Sequence, residues 1–211
     1  MIGIVDYRAG NITSVVRAFN FLGIPNFVSS APAELAGADR IVFPGVGAAG
    51  EAMANIREQG LDIFLRNAFV RGVPILGICL GTQIIFEHSQ EDGGTECLKL
   101  VKGTVKLFPH DMVANGEKLK VPHMGWNGLR LRQQHPVFAN IDANMEFYFV
   151  HSYYPSPKEE ENILGTTEYG IEFCSAIATN SLVALQFHPE KSGRAGLAIL
   201  RNFASWLPGE N

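Results

Sequence analysis

The sequence predicts an α/β protein: an open, mostly parallel sheet with helices on both faces, plus a small antiparallel β patch. Three observations carry this. Up to Cys79, short apolar runs alternate with helix-period segments, the order that builds parallel strands joined by crossovers. One apolar run, Val73 to Ile78, stops abruptly at a cysteine framed by two glycines. From Lys99 to Tyr154 the texture changes to short strands and turns with no long helix.

Taken in order, Ile2 to Val5 reads as a buried first strand and Asp6-Tyr7-Arg8-Ala9-Gly10-Asn11 as a loop. Ile12, Val15, Val16, Phe19 and Leu22 recur at helical spacing, and Gly23 stops that helix. Asn26 to Ser29 is a second strand and Pro32 to Ala38 a short helix. Arg40 to Phe43 is a third strand, ended by Pro44-Gly45-Val46-Gly47. With no Gly-Lys-Ser/Thr following, this glycine-rich loop is no nucleotide loop; it suits backbone N–H groups turned toward an oxyanion, or simply a tight turn. Glu51 to Gln59 and Asp62 to Val70 are helical, with Leu61, Phe64, Leu65, Ala68 and Phe69 as a core stripe.

Gly77-Ile78-Cys79-Leu80-Gly81 follows, with Leu80 to His88 expected to continue as a helix. This is the pattern of a nucleophile elbow with cysteine as the nucleophile. Side chains at the glycines would meet neighbouring backbone, and a helix N-terminus under the sulfur favours the thiolate. A structural cysteine between two incidental glycines is the plain alternative. Farther on, Gly103 to Leu107, Leu129 to Arg132 and Phe147 to Val150 are the clearest strands of the patch, and Leu164 to Thr167 and Phe173 to Ala178 are further strands. Leu182 to Phe187 is a buried strand that delivers His188-Pro189-Glu190. Residues two apart on extended chain face the same way, so His188 and Glu190 can serve Cys79 as base and orienting acid. His151 is a rival base, set aside because no acid stands two residues away. Ser192 is placed to cap a last helix that turns Leu197, Leu200, Phe203 and Leu207 inward.

The elbow and His188-Pro189-Glu190 resemble the class I, or triad, glutamine amidotransferases, a flavodoxin-like α/β family. Pro44 to Gly47, Pro122-His123-Met124-Gly125-Trp126-Asn127 and His188 to Ser192 narrow the resemblance to the glutaminase subunits of imidazole glycerol phosphate synthases, across essentially the whole chain. The resemblance implies glutamine hydrolysis by Cys79, His188 and Glu190 with no metal or organic cofactor. It places Gly45, Val46, Gly47 and Leu80 at the oxyanion, and Gln83, Ser152 and Tyr153, with His151 beside them, in the glutamine pocket. It implies a heterodimer with a (β/α)8-barrel cyclase, contacted by Asn11, Arg17, His123, Met124, Trp126, Asn127, Tyr148 and Lys191. Asn11 could instead cap its helix and Arg17 be merely solvated. Arg8 departs from the family, which usually has glycine there. Two other readings stand beside this one: a subunit serving another synthase, such as one that aminates a surface sugar, and a non-catalytic binding module on the same fold.

The bulk numbers bound the rest. At 211 residues one domain, 1–211, is expected. Hydrophobic residues at 46% against 18% charged exclude a disordered chain. A net charge of −4 without a basic cluster argues against nucleic acid. No apolar run is long enough to span a bilayer, and three scattered cysteines at 79, 97 and 174 suit a reducing cytoplasm. Cys174, among apolar and small neighbours, is expected to be inert.

Overall fold

The structure, a computed structural model, describes residues 1–8, 11–114 and 116–209; Ala9 and Gly10 of the expected first loop lie outside these. The first half follows the alternation closely. Strands β1 (Ile2–Val5), β2 (Asn26–Ser29), β3 (Arg40–Gly45) and β4 (Ile75–Cys79) interleave with helices α1 (Ile12–Phe21), α2 (Pro32–Leu35), α3 (Ala49–Glu58) and α4 (Leu61–Val70). Helix α1 ends where Gly23, at φ 69°, lets its own N–H reach Asn20 O and the Ile24 N–H reach Phe19 O. Gly72, at φ 74°, stops α4 by the same pair of bonds.

The elbow segment departs from expectation. Helix α5 spans only Leu80–Gln83, one turn, rather than running to His88. The carbonyls of Ile84, Ile85 and Phe86 instead accept N–H groups from Leu98, Lys99, Leu100 and Val101. All three side chains are fully buried, more than one helical face could hide.

The chain then builds short strands β5 (His88–Ser89), β6 (Thr95–Glu96), β7 (Gly103–Leu107), β8 (Val113–Ala114), β9 (Glu117–Lys118), β10 (His123–Gly128) and β11 (Arg130–Leu131). After these come β12 (Glu146–His151), β13 (Tyr153–Pro157), β14 (Ile163–Glu168), β15 (Glu172–Thr179), β16 (Leu182–Leu185) and helix α6 (Gly193–Ser205). The large sheet has eight strands in the order β11-β14-β15-β16-β4-β3-β1-β2. The five from β16 to β2 are parallel and the rest antiparallel. The patch forms apart from it, chiefly β10 against β12 and a sheet in the order β13-β7-β5-β6, but β11, expected in the patch, pairs with β14 at the edge of the large sheet instead.

Two cores line the two faces. One joins Val15 and Phe19 of α1 to Ile199, Leu200 and Phe203 of α6; the other holds Met53, Ile56, Leu61 and Leu65 of α3 and α4. Leu207, expected to point inward on the last helix, lies beyond it and is exposed. Strands β4 and β16 are parallel neighbours near the middle of the sheet. Cys79 and the His188 segment therefore leave the same edge side by side, where open α/β sheets hold ligands.

Candidate active site

Cys79 closes β4 with φ 54° and ψ −107°, a conformation that a side chain enters only under strain. Close packing holds it there. A Cβ on Gly81 would stand 1.9 Å from the Phe43 carbonyl oxygen of β3, so only glycine fits at that point. Thr82 Oγ1 ties the turn to Leu185 O of β16 at 2.6 Å. The helix beneath the sulfur is a single turn, so its dipole contributes less than the sequence suggested.

His188 Nδ1 and Glu190 Oε1 are 2.8 Å apart, with the Glu190 side chain 0% exposed. Burial by itself would push the His188 imidazolium down. The neighbouring Cys79 sulfur and the Glu190 carboxylate outweigh it and carry His188 up to about 10. His188 Nε2 has no hydrogen-bond partner of good geometry among the described residues. The sulfur raises His188 both as a hydrogen-bond partner and by its charge, although the contact falls short of good hydrogen-bond geometry. Ser192 does not cap α6. Its hydroxyl donates to His188 O at 2.6 Å and accepts from the Tyr148 N–H at 3.0 Å, pinning the His188 turn to β12.

A cavity of about 300 Å³ opens beside Cys79, lined by Val46, Gly47, Leu80, Gln83, His151, Ser152 and Tyr153 among others. A larger one of about 480 Å³ lies around Leu129, Phe138 and Phe147 and touches none of Cys79, His188 or Glu190. Gly45 belongs to strand β3 rather than to a flexible loop, and a Cβ there would overlap the Tyr7 hydroxyl at 1.7 Å. Gly47, at φ 108°, is the conformationally free glycine of that segment. Gln83 Nε2 donates to Tyr153 O at 2.9 Å and to Gln186 Oε1 at 3.1 Å. Gln186 in turn points Nε2 at the Cys79 sulfur, 3.9 Å away. Sequence reasoning missed Gln186; its signal was a lone amide in the apolar run from Leu182 to Phe187.

His151 also lines the cavity but is no rival base. Its Nδ1–H donates to Tyr153 O at 2.7 Å, so Nε2 is left to accept from His123 Nδ1 at 3.0 Å. His123 Nε2 then faces the Asn127 amide at 3.3 Å. Every ring nitrogen is occupied with both rings neutral. Burial lowers His151 to about 3, with the nearby His123 and His188 adding to it, and lowers His123 to about 4.

The residues expected on a partner face divide. Met124 and Trp126 are exposed on β10. Trp126 packs edge-on to Tyr148 at 6.1 Å, and Lys191 Nζ lies 5.9 Å from the Tyr148 ring centre. His123, by contrast, is buried, stacked on Tyr169 at 4.0 Å between centroids, and cannot meet a partner directly. The Asn127 amide is turned to the Glu168 carbonyl at 2.9 Å. Arg17 is exposed beside Glu190. Asn11 leaves α1 uncapped and donates instead to Glu190 Oε1 at 2.6 Å.

Among the described residues no His, Cys, Asp and Glu cluster could hold a metal ion, and no helix is long and apolar enough to cross a membrane.

Residues 4–206 match the family described as glutamine amidotransferase class-I. A protein of Maridesulfovibrio salexigens is 50% identical over 204 residues, covering 96% of this chain and 95% of its own. One of Dehalococcoides mccartyi is 43% identical over 210 residues, covering 100% and 99%. Both are named imidazole glycerol phosphate synthase subunit HisH. Among solved structures, one described as a glutamine amidotransferase superposes with TM-score 0.72 at 17% identity over 96% of each chain. The glutaminase domain of Trypanosoma brucei CTPS, with bound acivicin, gives 0.62 at 17% over 96% of this chain and 93% of its own. At such identities these structures speak to the fold alone.

Proposed function

The chain belongs to the class I glutamine amidotransferase family, and from that premise we propose that it is the glutaminase subunit of an imidazole glycerol phosphate synthase, acting in histidine biosynthesis. One observation carries the catalytic assignment: a strained cysteine elbow faces a buried histidine–glutamate pair on the adjacent parallel strand's exit. Chain-long likeness to two HisH subunits supports the choice of synthase.

His188 takes the Cys79 thiol proton, so that the sulfur meets glutamine as a thiolate. The sulfur attacks the side-chain amide carbon in the cavity bounded by Gln83, Ser152 and Tyr153. The carbonyl oxygen gains the negative charge, and N–H groups of Leu80 and of the Val46–Gly47 segment receive it. As the C–N bond breaks, His188 Nε2 gives its proton to the nitrogen, releasing ammonia and leaving a glutamyl thioester. Neutral His188 then takes a proton from water. The resulting hydroxide splits the thioester, restoring thiolate and imidazolium and releasing glutamate. Glu190 keeps Nδ1–H pointed at itself throughout, so Nε2 remains the working nitrogen. The buried Gln186 amide holds its Nε2 3.9 Å from the sulfur.

The ammonia is passed to a (β/α)8-barrel cyclase bound as a heterodimer over Met124, Trp126, Tyr148 and Lys191. The cyclase makes imidazole glycerol phosphate and aminoimidazole carboxamide ribonucleotide. The complex works in the cytoplasm, and residues 1–211 form one glutaminase domain. The test is glutamine turnover by the chain alone and with the cyclase. Turnover that appears or rises steeply with cyclase, and disappears in Cys79→Ala and His188→Ala, is expected. Activation only by a sugar-aminating synthase would replace the partner, and no turnover with any synthase would leave a binding module.

A further inference from the structure

Asn11 is separated from Glu190 by 179 positions, yet its Nδ2 donates to Glu190 Oε1 at 2.6 Å. The same oxygen meets His188 Nδ1 at 2.8 Å. Glu190 Oε2 is buried and has no partner among the described residues. Two bonds to one oxygen therefore fix the carboxylate's rotation, and only one of them comes from outside the His188 turn. Asn11 gives up a helix cap to make it: it sits at φ 78°, ψ 3°, where asparagine is better tolerated than most residues, and bonds nothing in α1 through its side chain.

We propose that Asn11 is a positioning residue of the triad, its amide holding the Glu190 carboxylate in the orientation that aligns His188 toward Cys79. This rests on the triad reading above. It also supplies a route into the site. Asn11 is half-buried at the start of α1, and a groove of about 350 Å³ lined by Ser14, Arg17, Phe21 and Glu190 opens along the same helix. Glu190 thus borders both the His188 pair and this groove. The titratable groups around the pair are Cys79 from β4, His151 and Tyr148 from β12, Arg17 from α1 and Lys191 from the His188 turn.

Two variants of the full chain separate the amide from the backbone. Asn11→Gly keeps the positive φ and removes the donor. Asn11→Asp keeps the shape and sets a second carboxylate against Glu190, where two anions repel or share a proton. The first readout is the pH dependence of Cys79 alkylation by iodoacetamide in the free chain. The second is kcat and KM for glutamine at saturating cyclase. We expect alkylation at pH 7 to slow about tenfold in both variants, with the profile displaced to higher pH, and most in Asn11→Asp. We expect kcat to fall about tenfold with KM within about twofold, because an aligned imidazole matters to the transition state more than to glutamine binding. Weaker cyclase affinity with an unchanged alkylation profile and unchanged saturated kcat would overturn the proposal and leave Asn11 a docking residue. His188→Ala separates the two levels of the argument. If it slows wild-type Cys79 alkylation while the Asn11 variants do not, the positioning role alone fails. If Cys79 reacts no faster than Cys97 and Cys174 and His188→Ala changes nothing, the triad reading falls, and this proposal with it.

Discussion

Acid should unfold this protein through two histidines that take no part in the chemistry. His123 and His151 are 2% and 6% exposed, and every ring nitrogen of the pair has a partner only while both rings are neutral. Folding lowers them from an ordinary value of 6.5 to about 4 and about 3. Because these folded values are depressed, the stability they contribute is full above pH 6.5. It is lost as pH falls, since the unfolded chain binds protons that the native state refuses until near pH 4 and pH 3. Each group gives a slope of about 1.4 kcal/mol per pH unit in that window, so two groups between pH 6.5 and 4.5 remove about 5 kcal/mol. That is a third to all of an ordinary domain's stability. His188, raised to about 10, has the opposite sign: its contribution is full below pH 6.5 and fades as pH rises through about 10. Urea unfolding followed by circular dichroism from pH 4.5 to 8 measures this. The wild type should lose stability steeply below pH 6. His151→Asn keeps a donor for the Tyr153 carbonyl and should roughly halve the acid slope. Equal slopes in the two proteins would refute the reasoning.

Cys79 should be the one cysteine labelled rapidly by a glutamine-like electrophile, because burial raises the Cys97 and Cys174 thiols to about 11 and about 12; equal labelling at Cys174 in a peptide map would count against the assignment. Gly81→Ala should abolish glutaminase activity and lower Tm measurably by calorimetry, since a rigid carbonyl 1.9 Å from the new carbon forces the elbow away from β3; a variant with wild-type Tm and activity would contradict that packing. Lys191→Glu should weaken cyclase binding in titration calorimetry by about tenfold or more while leaving the free chain's Tm within about two degrees, because Lys191 is exposed and its Nζ rests over the Tyr148 ring face; unchanged affinity would remove it from the interface.

Local signals carried far here because the chemistry is built at chain turns. The apolar run into Gly77-Ile78-Cys79-Leu80-Gly81 announced a strand ending in an elbow, and His188-Pro189-Glu190 announced a histidine and an acid just past another strand, although Pro189–Lys191 form a 3-10 turn rather than the extended chain expected to align them. Both arise from spacing within a few residues, and strand β4 ends at Cys79 as that spacing required. The extent of helix α5 was not readable in the same way. Residues 80 to 88 have helix-compatible composition, but the carbonyls of residues 84 to 86 are claimed by residues 98 to 101, a competition visible only once the chain has doubled back.

By itself, then, the sequence determined the alternating α/β order, the helix stop at Gly23, and the placing of Cys79, His188 and Glu190 at chain turns beside strand ends. Tertiary structure alone decided what surrounds them. Ser192 became a clamp between His188 and Tyr148 rather than a helix cap, and Gln186 came to the sulfur from 107 positions away. His123, expected on a partner face, joined a neutral histidine pair instead, and Asn11 crossed 179 positions to hold Glu190. The physical reason is common to all four. A polar side chain near a buried site is fixed by whichever partner spares it desolvation. That partner is a neighbour in space, which no periodicity along the chain encodes.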